Sequence, residues 1–264
     1  MAAVAAARRA ARALPVALIV MVLVLPSLVV VPMSFSSGQI LEFPPQGFSF
    51  RWYEAIASND VWIEAARNSL AVAAAVVVLS TLIGGPAGIA LGLWRWRGRS
   101  LFLGFALVPA VMPPMVLALG MYITYARFDL IGYWGLVAAH TVMALPFVVL
   151  TVMSSAQLVD PTLLTAAQSL GAKRWRVLVE IVLPMVKGGV ATGAIFAFIT
   201  SWDEVVVAIY LTDPTFKTLP VVMWNQLRER VDPSVAVVAT LLFAVTSLVM
   251  AYVVLKGERK QRVQ

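Results

Sequence analysis

Two adjacent acids, Asp203 and Glu204, directly follow Trp202 in a run that is otherwise uncharged, with GAIFAFITSW up to Trp202 and VVVAIYL after the acids. Carboxylates inside an apolar segment face a polar interior or a pathway rather than lipid. Neighbours on a helix point about 100° apart, so one acid can line a passage while the other pairs elsewhere. Two readings stay open. One is a structural ion pair or interface position. The other is a site that attracts a cationic solute, with Trp202 available for cation–π contact. Other chemistry is poorly served. The chain has no cysteine, hence no disulfide, thiolate metal site or cysteine nucleophile. His140 is the only histidine, which leaves no histidine-based metal cluster; it reads as a packing or hydrogen-bonding residue. GGPAGIALG at 84–92 lacks the Gly-Lys-Ser/Thr ending of a phosphate loop and lies in an apolar run. No Ser-His-Asp or paired-carboxylate catalytic set stands out. We expect no catalytic residue, no metal, no cofactor and no intramembrane enzyme.

The elements that must position the acids are membrane helices. Only 12% of the residues are charged and 61% are hydrophobic, whereas soluble domains carry roughly 25% charged residues. A bilayer core takes roughly 20 apolar residues per helix. Six segments of the 264 residues meet that test, near 14–34, 69–93, 101–126, 134–156, 187–210 and 235–255. The first follows Arg8, Arg9 and Arg12 as a signal peptide would. Pro26 and Pro32 interrupt it, however, and SFSSG is a poor cleavage site, so a retained helix is expected. With the N-terminus in the cytoplasm, 14 of the 20 Lys and Arg fall on that side and 6 on the other. This bias places both termini inside and assigns the net charge of +7 to basic cytoplasmic loops rather than to nucleic acid.

Gly84, Gly88 and Gly92 recur on one face of the second span, and Gly189, Gly193 and Ala197 on one face of the fifth. Small faces let backbones approach closely, either within one subunit or against a second transmembrane subunit. Pro109, Pro113 and Pro114 lie in the third span and Pro146 in the fourth, where each can kink its helix. Two outside segments, 48–70 and 212–234, mix aromatics with charge. Either can lie on the membrane surface or receive a protein from outside.

The cytoplasmic segment 160–184 is too charged for lipid and too apolar for an ordinary loop. Asp160-Pro161 makes a helix start, with Asp as N-cap and Pro at the first helical position. Residues 161–170 then read as a short helix, and Gly171 offers the left-handed exit. A second helix over 173–182 is expected to stop at Pro184. On it Trp175, Leu178, Val179 and Val182 form an apolar stripe. A helix lying on anionic lipid would account for Lys173, Arg174 and Arg176. It would not account for a bend at Gly171, which suits a knob fitting a partner's groove.

The spacing of Ala166, Ala167, Gly171, Ile181, Leu183 and Pro184 resembles the E-A-A…Gly…Ile-x-Leu-Pro signature of membrane subunits of ABC importers that work with a solute-binding protein. Thr165 stands where the signature has Glu. The likeness extends over nearly the whole chain. It implies an all-α membrane protein of six transmembrane helices with the type I ABC importer permease fold, one transmembrane domain over 1–264 with the coupling loop at 160–184 inside it. It implies that Thr165, Ala166, Ala167, Gly171, Ala172, Trp175, Leu183 and Pro184 couple the chain to a separate ATPase, which would hold ATP and Mg. Implied partners are a second, homologous permease subunit in a heterodimer, two ATPase subunits, and a periplasmic or extracellular solute-binding protein, all at a bacterial inner membrane. SWDEVVVAIYLTDP and the residues after it are similar to the second membrane subunit of spermidine/putrescine importers. That implies a polyamine solute carried past Trp202, Asp203 and Glu204. Phosphonate, ferric iron or sulfate as solute, or an ion-coupled secondary transporter, are the alternatives.

Overall fold

In a computed structural model the described residues run from 27 to 261, with side chains to 251 and a few scattered positions before 27. Helices dominate. They are α1 (27–34), α2 (Arg51–Ala57), α3 (Asp60–Leu93), α4 (Arg99–Val111), α5 (Pro114–Ala126), α6 (Tyr133–Ala156), α7 (Pro161–Ser169), α8 (Arg174–Trp202), α9 (Val206–Leu211), α10 (Leu219–Glu229) and α11 (Pro233–Gln261). The described residues contain no sheet, only the isolated bridges Ser36–Phe48 and Asp213–Phe216. In α3, α6, α8 and α11 the chain is long and apolar enough to cross a bilayer; α4 and α5 pass that test together as a pair bent by 101°. Four unbroken spans and one broken span are consistent with the six expected. The remaining segment, 14–34, lies mostly outside the described residues.

The chain divides into two compact units, one comprising the residues up to Asp60 with Asn225–Ser247, the other Val61–Trp224 with Leu248–Gln264. In the first, Ser34 Oγ bonds Tyr53 Oη at 2.7 Å, the Phe35 ring stacks on Tyr53, and Trp52 Nε1 donates to Gly38 O at 3.1 Å. Asp232 Oδ1 accepts the Ser234 N–H at 3.0 Å and opens α11.

In the second unit α6 is the central helix, flanked by both small-residue faces. A Cβ at Gly88 would lie 2.8 Å from Val149 O, and one at Gly189 would lie 2.6 Å from Thr151 O. Backbone oxygen does not yield at such distances, so only glycine permits these approaches. The glycine faces of the second and fifth expected spans are therefore used inside this chain. Val72, Val76, Val148, Val152 and Ala197 fill the core between the helices. The antiparallel register of α6 and α8 is marked by Phe147 stacked on Phe196, ring centroids 6.0 Å apart, and by His140 Nδ1 paired with Ser201 Oγ at 2.9 Å.

Four expectations about element boundaries change. The second span begins at Asp60 rather than 69, because the amphipathic stretch expected over 48–70 runs straight into it after a break at Ser58 and Asn59. The third span is not one helix. Single prolines at 86, 109 and 146 are carried inside helices, but Pro113-Pro114 removes two donors in a row and pushes Met112 into extended backbone (ψ 139°). The helix before Pro184 does not stop there: α8 continues to Trp202 through a π-helical turn over Leu178–Val182. That widened turn holds Glu180, whose carbonyl would otherwise meet the proline ring and wait for its missing N–H. The fifth span ends at Trp202, so the two acids sit at a helix break, with Asp203 at φ −105°, ψ 4°.

Candidate solute site and coupling loop

The helix break separates the two acids. Glu204 Oε1 accepts the Val207 N–H at 2.6 Å and closes the first turn of α9. Helix starts leave backbone N–H groups without partners, and a carboxylate there satisfies one of them. Asp203 has no such partner and is exposed. The neighbours differ just as sharply. Trp202 is 4% exposed and its indole stacks on Phe198 at 5.6 Å with 14° between the planes. Ser201 is buried and held by the buried His140. One turn of helix thus carries two buried anchors, and the next residue presents a free carboxylate. His140 is the hydrogen-bonding group its isolation suggested. Its tether to Ser201, next to the acids, was not legible, because nothing in a sequence marks residues 61 positions apart as partners.

The segment 160–184 is built from two caps. Asp160 Oδ1 accepts the Thr162 N–H at 2.8 Å at the start of α7, and that bond holds the Asp160 carboxyl below the ordinary carboxylate range. At the other end Gly171 takes φ +87°. The Gly171 N–H donates to Gln168 O at 2.9 Å and the Ala172 N–H to Ala167 O at 3.0 Å. These two bonds are the paired closure of a left-handed helix exit, so Ala167, Gly171 and Ala172 are spaced as they are because the turn requires it. Thr165 Oγ1 donates to Pro161 O at 3.1 Å within its own helix, which leaves no charge where the signature has Glu. The expected stripe on the second helix is divided. Val182 is buried with Ala156, Val159 and Val186, and Val177 is buried as well. Trp175 and Val179 face outward, 59% and 54% exposed, and Leu183 and Pro184 are also exposed. Arg176 bonds Glu180 at 3.3 Å on the surface. Leu170, 89% exposed beside Gly171, is the outermost apolar side chain of the bend and was missed. An apolar residue stranded at a glycine turn was the available signal.

The chain belongs to the family of binding-protein-dependent transport system inner membrane components, which it matches over residues 84–262. It is a multi-pass permease subunit of an ABC importer. It is 34% identical over 229 residues to the spermidine/putrescine transport system permease protein PotC of Escherichia coli (strain K12), covering 86% of each chain. To the putrescine transport system permease protein PotI of the same organism it is 27% identical over 249 residues, 90% of this chain and 88% of that one. To the molybdate/tungstate transport system permease protein WtpB of Pyrococcus abyssi (strain GE5 / Orsay) it is 33% identical over 166 residues, 63% and 67% of the two chains. Among solved structures, a bacterial ABC transporter involved in import of the acidic polysaccharide alginate superposes with a TM-score of 0.64 at 15% identity, covering 94% of both chains. The MetNI methionine ABC transporter gives 0.62 at 19% identity, covering 76% of this chain and 94% of that one. The last two establish the fold alone.

Proposed function

We propose that this permease conducts a polyamine cation of the spermidine/putrescine class, and that Asp203 is the residue that meets it. The observation that carries this reading is the unequal state of the two acids: Glu204 is engaged by the Val207 N–H, while Asp203 is exposed and forms no ion pair among the described residues. A free carboxylate favours an ammonium group and repels an oxyanion, which sets this chain apart in expected cargo from its molybdate/tungstate relative. The likeness to two polyamine permeases over most of the chain supports the same cargo. Trp202 backs the site as a rigid wall.

In this reading both termini lie in the cytoplasm, as the Lys and Arg distribution suggests. The chain pairs with a second homologous permease, two ATPase subunits dock at the cytoplasmic face, and a solute-binding protein delivers cargo from the other side. ATP is hydrolysed by those partners and not by this chain. The bend at Leu170-Gly171 with Trp175 enters a groove in an ATPase subunit, and Thr165, Ala166, Ala167, Ala172, Leu183 and Pro184 give that bend its shape. The direct test is ATP-dependent uptake of labelled spermidine and molybdate into proteoliposomes holding the assembled importer. Spermidine uptake that needs the ATPase supports the reading. Uptake of molybdate alone, or uptake indifferent to the ATPase, defeats it.

A further inference from the structure

The end of α3 and the start of α8 frame a surface separate from the solute site, which shares Leu183 with the residues assigned to the bend. Trp94, Pro86 and Ile89 on one side and Leu178, Val179 and Leu183 on the other line an open apolar groove of about 260 Å³. A second cleft of about 400 Å³ adjoins it, sharing Trp94 and Leu178 and adding Gln168 and Arg174 to its lining. Trp94 opens the run Trp94-Arg95-Trp96-Arg97-Gly98-Arg99. Trp94, Arg95, Trp96 and Arg97 are all exposed, as is Arg174. Among the described residues the ion pair formed is Arg176–Glu180, so Arg95, Arg97 and Arg174 have no carboxylate partner. Below the groove the apolar surface continues up the same helix into the span, where Leu82 and Ile83 are 65% and 55% exposed.

We infer that this paired cleft is a binding site for one anionic phospholipid of the cytoplasmic leaflet. The phosphate would be met by Arg174 and the Gln168 amide, with Arg95 and Arg97 at the rim, and an acyl chain would lie along Val179, Leu183 and Pro86. Three observations select a lipid over a protein. The cleft lined by the cationic Arg174 and the apolar groove share Trp94 and Leu178, and a phospholipid supplies anion and hydrocarbon in one molecule. Exposed tryptophans at the end of a span mark the headgroup level. The apolar track runs on into the span, which a cytoplasmic ATPase cannot reach. Basic pockets between membrane helices on the cytoplasmic side are the general form of such sites. The inference rests on the proposed cytoplasmic placement of residues 94–99 and 160–184, but not on the identity of the solute.

The test is native mass spectrometry of the full chain in neutral detergent, titrated with palmitoyl-oleoyl phosphatidylglycerol or phosphatidylcholine. A photoactivatable phosphatidylglycerol maps the contact. Phosphatidylglycerol should bind preferentially and crosslink to peptides containing 86–96 and 174–183. Arg174→Gln should lower its affinity roughly fivefold while leaving phosphatidylcholine adducts unchanged. Val179→Trp, which fills the groove without touching a charge, should lower both. Equal binding of the two lipids, an unchanged preference in Arg174→Gln, undiminished binding of both lipids in Val179→Trp, or crosslinks elsewhere would overturn the site. So would displacement of the bound lipid by the ATPase or the second permease, which would make the surface a protein interface. Because no transport is measured, failure here leaves the polyamine reading standing. Labelling of Gly98→Cys from the cytoplasmic side checks the shared premise separately.

Discussion

The unequal pairing of the two acids predicts that neutralising them has different consequences. Asp203→Asn removes a free carboxylate at the break after α8, whereas Glu204→Gln keeps an oxygen that can still accept the Val207 N–H now held at 2.6 Å. An ammonium about 4 Å from a carboxylate gains about 4 kcal/mol at an effective dielectric near 20. Solvent-exposed pairs in double-mutant cycles retain only about 0.2–1 kcal/mol. Asp203 is exposed beside the nearly buried Trp202, so water reaches it and the smaller figure is the better guide, raised by the low-dielectric wall. We therefore expect Asp203→Asn to cost about 1.4 kcal/mol, a roughly tenfold rise in the KM for spermidine. For Glu204→Gln the charge-assisted bond becomes a neutral one. The loss of about 1 kcal/mol falls on stability, and KM should move by less than about twofold. The assay is ATP-dependent spermidine uptake by the assembled importer in proteoliposomes, with the melting temperature of each variant measured in parallel. The decisive contrast is between the two substitutions. If Glu204→Gln raises KM as much as Asp203→Asn does, the assignment of roles is wrong. If neither changes it, both acids belong to the structure and the solute is recognised elsewhere.

The remaining predictions test the scaffold. Gly171 has no neighbour within 4 Å of an added Cβ, so only its φ of +87° resists substitution. Gly171→Asn should preserve the ratio of transport to ATP hydrolysis, Gly171→Val should lower it at a local cost of about 1–2 kcal/mol, and normal coupling in the Val variant would dismiss the bend as the coupling element. A Cβ at Gly189 meets Thr151 O and the Ser155 hydroxyl, whereas one at Gly188 meets nothing; Gly189→Val should lower stability by about 1–3 kcal/mol and Gly188→Val should not, as thermal melting in detergent will reveal. His140→Gln retains a polar partner for Ser201 and should be mild, since interhelical hydrogen bonds in membranes average about 0.6 kcal/mol. His140→Ala adds a cavity worth about 2–4 kcal/mol, and equal melting of the two variants would remove His140 as a tether of α6 to α8. The Thr162 N–H depresses the Asp160 carboxyl, so its capping contribution is complete above the ordinary value of 3.8 and is lost as pH falls through the lower folded value. Binding of the ATPase subunit should thus be insensitive to Asp160 between about pH 8 and about pH 5, and a Asp160-dependent loss within that window would contradict the cap.

What a sequence can announce here, and what it cannot, follows from the range of each interaction. The cap at Asp160-Pro161 and the left-handed Gly171 are decided by residues within one turn of each other, and both were legible. So were the second, fourth, fifth and sixth expected spans, because a bilayer reads composition over about 20 residues. Pro184 shows where local rules fail: a single proline predicts a stop, yet α8 absorbs it by widening one turn while Val182 and Val186 stay packed in the core. Pro113-Pro114 differs because two missing donors in succession exceed what one wider turn can absorb, and the helix breaks by 101°. The acids were legible as an anomaly but not in their division of labour. That division depends on where α8 ends, and the tertiary anchor there is Ser201 on His140, next to the buried Trp202, which stacks on Phe198 one turn back in α8. The Ser201–His140 bond holds the last turn of α8 against α6, the chain turns at Asp203, and Glu204 is the first residue placed to close α9. An exchange of the two side chains, Asp203→Glu with Glu204→Asp, would keep charge and composition. The shorter carboxylate at 204 would reach Val207 less well, so the pair should lose α9 order before it loses solute affinity. Hydrogen exchange at Val207 would reveal that loss, and unchanged protection there would mean that α9 forms without its carboxylate.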